Sequence, residues 1–166
     1  MESTAFLDDI RVLLARDIEA LQREVQLFPD DAGLWEARPG VANAVGNIAL
    51  HVAGNIRHFI GFTLGGIPYT RDRDAEFSRR GLSRLEVATE LAAALAVVQD
   101  VLPRIGPDQL DAEWKPAPLP TPISTRRFLM HICTHAAYHV GQAGYLRRIV
   151  TRDSRTSGAG SSARIA

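Results

Sequence analysis

Apolar residues return every three to four positions in four separate stretches of the chain, and between them the pattern lapses into prolines, glycines and charges. From about Ser3 to Leu27, Phe6, Leu7, Ile10, Leu13, Leu14, Ile18, Leu21 and Val25 trace one stripe, which predicts a first helix with a single buried face. Pro29, Asp30, Asp31 and Gly33, then Arg38-Pro39-Gly40, interrupt the chain, so the stretch with Leu34 and Trp35 is a connector whose Trp35 plugs one end of the core. A second helix is predicted from about Asn43 to Leu64, with Ala44, Ile48, His51, Asn55, His58 and Phe62 on one face. Gly65-Gly66-Ile67-Pro68 stops it, and the charged segment from Arg71 to Arg80, lacking any apolar period, reads as a surface excursion placed to cover a site.

Ser83 and Glu86 have the spacing of a capping box, and Leu85, Leu91, Leu95, Val98 and Leu102 continue a third helix over about 84–104. The proline-rich stretch from Pro103 to Pro122, which contains Trp114, cannot be one continuous helix. Ser124 or Thr125 can cap a fourth helix that runs through Phe128, Ile132, Ala136, Val140, Ala143 and Leu146 to about Val150. The expectation is an all-α chain, a four-helix bundle over residues 1–150 with one or two long connections and a disordered tail over 151–166, where Ser, Gly, Ala and Arg leave almost nothing to bury.

Composition narrows the function classes. Hydrophobic residues at 46% and charged residues at 23% match an ordinary globular chain and argue against wholesale disorder. Nineteen basic residues balance nineteen acidic ones, so no global field draws nucleic acid or anionic lipid, and neither is expected as a partner. A single cysteine, Cys133, precludes an internal disulfide and a thiolate-rich zinc site, which makes a reducing cytoplasm the expected location. Acidic Glu2, Asp8 and Asp9 stand where a signal peptide carries a basic start, and no apolar run approaches a membrane span.

The chemistry concentrates in the histidines, all five of which fall on two predicted helices: His51 and His58 on the second, His131, His135 and His139 on the fourth. His135 and His139 are four residues apart and so leave one helix face a turn apart, within reach of a common ion. With Phe128 as the origin of a helical wheel, His135 and His139 fall within about 40° of the centre of the apolar face, and His51 supplies a third nitrogen from the facing stripe. The pair His131 and His135 has the same spacing, which alone does not choose between them; His131 lies nearer the edge of the stripe. A lone core histidine is more often a hydrogen-bonded polar group than a ligand, and it is the clustering that points to metal. Three imidazoles without thiolate suit one divalent transition metal, Zn or Ni first, Fe or Co next, with a coordination position left open.

The segment His131-Ile-Cys-Thr-His135-Ala-Ala-Tyr-His139-Val-Gly-Gln142, followed by Tyr145-Leu-Arg-Arg148, resembles the last helix of the DinB-like family of four-helix bundles. Asn47-Ile-Ala-Leu-His51-Val-Ala-Gly-Asn55 is similar to that family's earlier histidine helix, and Leu34-Trp35 with Arg38-Pro39-Gly40 to its lead-in, so the resemblance covers roughly residues 5–150. It implies His51, His135 and His139 as the metal ligands, a homodimer, and an activity akin to thiol-dependent transferases and isomerases or to metal-dependent hydrolases. Asn55 departs from the carboxylate that relatives often carry there, which weighs against a dedicated general base on the second helix and hence against hydrolysis.

Two classes of function remain. In one, the chain is an enzyme whose metal activates a low-molecular-weight thiol or water toward a small-molecule substrate, with His58, His131 or Tyr138 moving protons and Arg71 or Arg73 binding a carboxylate. In the other, the ion only locks the second helix to the fourth in a stress-response module without turnover; a fourth protein ligand, for which Asp17 and Glu90 are candidates, would favour this. Gln142 is expected to hydrogen-bond within the protein, and Cys133, lacking any cationic setting, to pack.

Overall fold

Side-chain caps fix where several helices begin. In the computed structural model, which describes residues 2–115 and 121–158, helix α1 spans Glu2–Gln26, α2 Val45–Ile56, α3 Arg73–Ser78, α4 Arg84–Val101, α5 Pro107–Asp111 and α6 Thr125–Thr151. The Ser83 hydroxyl accepts from the Glu86 amide while the Glu86 carboxylate takes the Ser83 amide, the reciprocal cap expected from the sequence. Ser124 accepts from the Arg127 amide and starts α6; Asp72 does the same for α3 through Ala75. Among the described residues the fold is all-helical, with one isolated bridge between Glu113 and Ser124.

The four long segments pack as two pairs of neighbours. Helix α1 lies against α4 and α6, and α2 lies against the same two helices. Leu14, Ile18 and Leu21 of α1, Ile56 of α2, Leu91 of α4 and Leu129 of α6 are fully enclosed, each such side chain stabilising the fold by about 1.5–3 kcal/mol relative to exposure. Trp35 lies across α2 at Gly46, where a Cβ would stand 2.6 Å from the indole ring, and its Nε1 donates to the Leu82 carbonyl at 2.7 Å. Trp114 is buried and stacked on Phe128, with ring centroids 3.7 Å apart.

Four expectations need correction. The second helix reaches Leu64, but from Arg57 onward its hydrogen bonds widen to a π-helix, Arg57–Leu64, which settles close to α4: a Cβ at Gly61 would meet Val97 at 3.1 Å. The third helix tightens to a 3-10 turn over Leu102–Arg104, where Pro103 removes a donor. The charged excursion folds as α3, whose Glu76 is buried against α2; polar anchors hold it, so a search for apolar period misses it. Residues 152–158, assigned to the tail, fold back onto α1 and α6; the rest of the expected tail, 159–166, lies outside the described residues.

A buried ion pair holds that return. Arg147 and Glu24 are shielded almost completely, with Arg147 Nε donating to Glu24 Oε2 at 2.5 Å. Arg147 also donates to the carbonyls of Asp153 and Arg155, and the Ser157 amide donates to Glu24 Oε1 at 3.2 Å. Removing one partner leaves the other charge uncompensated in the interior, so Glu24→Ala is expected to lower the unfolding free energy by about 3–5 kcal/mol, and Arg147→Met in the same chain to restore most of it. Urea titration followed by circular dichroism measures both; a loss below about 0.5 kcal/mol for Glu24→Ala would mean that the pair does not hold the helices together.

Candidate metal centre

Where α2 passes α6, the two helices bring three imidazoles together. His51 is buried, and His135 and His139 are half-buried. Nε2 of His135 lies 3.2 Å from Nε2 of His51 and 3.2 Å from Nε2 of His139. Two nitrogens that each stand about 2.0–2.1 Å from one tetrahedral zinc are about 3.3 Å apart, so the spacing matches shared coordination.

The outer ring nitrogens fix the tautomers. His51 Nδ1 lies 2.9 Å from Oε2 of Glu76, an acceptor, so the ring proton sits on Nδ1 and the Nε2 lone pair faces inward. His139 Nδ1 faces the Gln142 amide oxygen at 2.8 Å, with the same consequence. Both lone pairs therefore converge on His135 Nε2, whose single site can carry at most one proton for two acceptors. A cation satisfies all three nitrogens, and the donor set fits a divalent transition metal. His51, His135 and His139 form a group that could hold a metal ion, and among the described residues the group comprises these three side chains.

Glu76 is held in turn. Arg71 donates to it bidentately, Nε to Oε1 at 2.7 Å and Nη2 to Oε2 at 2.8 Å, and the Asn47 side chain ties the backbone of α3 through the Glu76 and Arg79 carbonyls. Burial, the largest influence, would raise the Glu76 carboxyl, yet the hydrogen bonds and charges of Arg71 and His51 together hold it below the ordinary carboxylate range. Gly54 makes the seat: a Cβ there would collide with Glu76 Oε1.

The remaining expected groups scatter. His131 is exposed one turn before His135, ring centroids 5.9 Å apart, and the exposed Tyr138 lies edge-on to His139 at 5.3 Å. His58 sits two turns from His51 among Phe59 and Phe62. Arg71 is engaged by Glu76 and Arg73 lies over Phe77, so neither stands free as a carboxylate clamp. Asp17 pairs with Arg16 and Glu90 with Arg57, away from the trio. Gln142 bonds within the protein as expected. Cys133 packs, its thiol pushed up to about 12 by burial. Glu76 is the residue that sequence reasoning missed; its one signal was that it is the single glutamate, beside Asp72 and Asp74, in a charged run that follows a histidine helix.

No curated protein matches the sequence. The model of one family, described as a protein of unknown function, DUF1572, matches residues 1–157.

Burial and the neighbouring imidazoles push His135 down to about 4 from its ordinary 6.5, and burial lowers His139 as well. The unfolded chain takes up the His135 proton near pH 6.5 while the folded chain resists to about pH 4. Stability of the metal-free protein is therefore full above about pH 6.5 and falls as pH drops toward 4. Urea midpoints between pH 8 and pH 4 should show the decline, and His135→Gln should flatten it; an unchanged slope in the variant would mean that His135 titrates as freely as a surface histidine.

Proposed function

The chain belongs to the DUF1572 family, and we propose that it is a metal-dependent enzyme which activates a low-molecular-weight thiol or water at His51, His135 and His139. One observation carries the reading: three Nε2 atoms converge, and Glu76 and Gln142 turn the lone pairs of two of them, on His51 and His139, toward the third. Zinc or nickel is the expected ion, and it would act as a Lewis acid that lowers the pKa of the thiol or water entering its open position. The absence of a fourth ligand among the described residues favours turnover over a purely structural staple.

The residues of the chain divide the work. His51, His135 and His139 would hold the ion; Glu76 and Gln142 orient two of the rings; Arg71 keeps Glu76 ionised and in place. His131 and Tyr138 flank the trio on α6 and are the proposed proton carriers, with His58 a third candidate further along α2. The proposed architecture is the DinB-like four-helix bundle, formed by α1, α2 with its π extension, α4 and α6. The proposed assembly is a homodimer, supported by the exposed stripe of Tyr138, Tyr145 and Ile149 on α6 and the cleft of about 330 Å³ that Tyr145 and Ile149 line with Val41. No described helix is long and apolar enough to cross a membrane. A reducing cytoplasm is the proposed setting, in keeping with one buried, unpaired thiol.

Elemental mass spectrometry of the untagged protein should find one zinc or nickel per chain, lost in folded His51→Ala and His139→Ala variants. A chain that stays metal-free after incubation with zinc, nickel and iron would remove the chemistry from this reading. Glu76→Ala and Gly54→Ala should each weaken zinc binding by about 10–100-fold, measured by chelator competition, because both unseat the carboxylate that orients His51. Unchanged zinc affinity in both would leave His51 oriented by packing alone.

A further inference from the structure

The face of α2 that carries His51 does not end there. One turn on, Asn55 is buried at 8% exposure, and its side-chain oxygen has no hydrogen-bond partner. Further along, Nδ1 of His58 is likewise buried and unpartnered, with the His58 ring stacked on the half-exposed Phe62. Native interiors leave few such atoms unmet, and a run of them beside a candidate centre calls for a partner from outside the chain. The backbone changes here too: α2 gives way to the π-helix at Arg57, a device that recurs at functional sites.

Opposite lies α6, antiparallel in its contacts. His51 meets His135 and His139, while Phe59, two turns on, meets Phe128, with ring centroids 5.1 Å apart. His131 falls between these levels on α6, as Asn55 does on α2. The Arg71 guanidinium, which clamps Glu76, also lies over the Phe59 ring at 5.6 Å. Along the facing helices the order is thus three imidazoles, then an unmet buried amide oxygen, then aromatic rings, over about 12 Å of helix.

We propose that Asn55, His58 and the Phe59–Phe62 rings form the substrate lane of the metal site. The lane takes a small organic molecule that donates a hydrogen bond to the Asn55 oxygen about one turn from the ion and lays a flat apolar ring beyond it. This rests on the proposed metal centre and adds the class of ligand. An amide or hydroxyl donor meets Asn55 Oδ1, and an aromatic or similarly flat group covers Phe62 and His58, which are otherwise left partly open to water.

The test uses the full zinc-loaded chain and three hydroxamates that grip zinc alike: acetohydroxamate, N-benzoylglycine hydroxamate, and the latter with its glycine nitrogen methylated. Calorimetry should find N-benzoylglycine hydroxamate at least about tenfold tighter than acetohydroxamate. Methylation, which removes the donor without touching the protein, should abolish most of that gain. Asn55→Leu should do the same for the unmethylated probe while leaving acetohydroxamate binding unchanged, and Phe62→Ala should remove the share due to the ring. Zinc content and circular dichroism accompany each variant. Equal binding of all three probes to the wild-type chain, or a gain that survives both methylation and Asn55→Leu, overturns the lane with the metal centre intact. A chain that takes no zinc overturns the centre and the lane together.

Discussion

The structure turns on a shortage of protons. Three imidazole nitrogens meet between α2 and α6 at hydrogen-bond distance, and two of them have already spent their ring protons on Glu76 and Gln142. Left to themselves, neutral rings in that geometry press lone pairs together, and protonated rings would press charges together at a half-buried site. Neither state suits a site so far withdrawn from water. The arrangement makes sense when a cation is the fourth party, and the proposed activity follows from the coordination position that three ligands leave open.

Holding this arrangement requires support from outside the two helices. Helix α3 is too short to be stable by itself, and its value lies in delivering Glu76 to the back of His51. That delivery depends on a glycine at 54, on a bidentate arginine at 71 and on the double grip of Asn47 on the α3 backbone. Replacing any one of them would loosen the orientation of a ring that the site needs fixed to a fraction of an ångström.

How much of this the sequence disclosed follows from which forces leave a periodic trace. The stripe from Phe6 to Val25 and the i, i+4 pair His135 and His139 were legible because burial on one helix face repeats with the helix. The Ser83 and Glu86 cap was legible because its chemistry is local. Glu76 was not, since the contact spans twenty-five residues from His51 and is polar, and no period or short motif encodes it. The π-helix was equally hidden: it goes with close approach of Gly61 and Gly65 to Val97 and Val101 of α4, tertiary contacts that no local apolar spacing encodes. The return of residues 152–158 was missed because Ser and Arg there are anchored by backbone bonds to a buried ion pair, and low hydrophobicity was read as nothing to bury.

The two buried carboxylates solve one problem in two places. Glu24 and Glu76 each accept from an arginine, and each faces a glycine that leaves room for it, Gly144 for the first and Gly54 for the second. Arg147 stands two turns beyond His139 on the same uninterrupted helix, so the pair that fixes α6 against α1 also fixes the height at which His135 and His139 face α2. A slip of α6 by one residue would move those rings by about 1.5 Å along the axis and rotate them by about 100°, enough to dissolve the convergence of nitrogens. The ion pair at the far end of α6 therefore acts on the candidate centre without touching it, by setting the register of the helix that carries two of the three ligands.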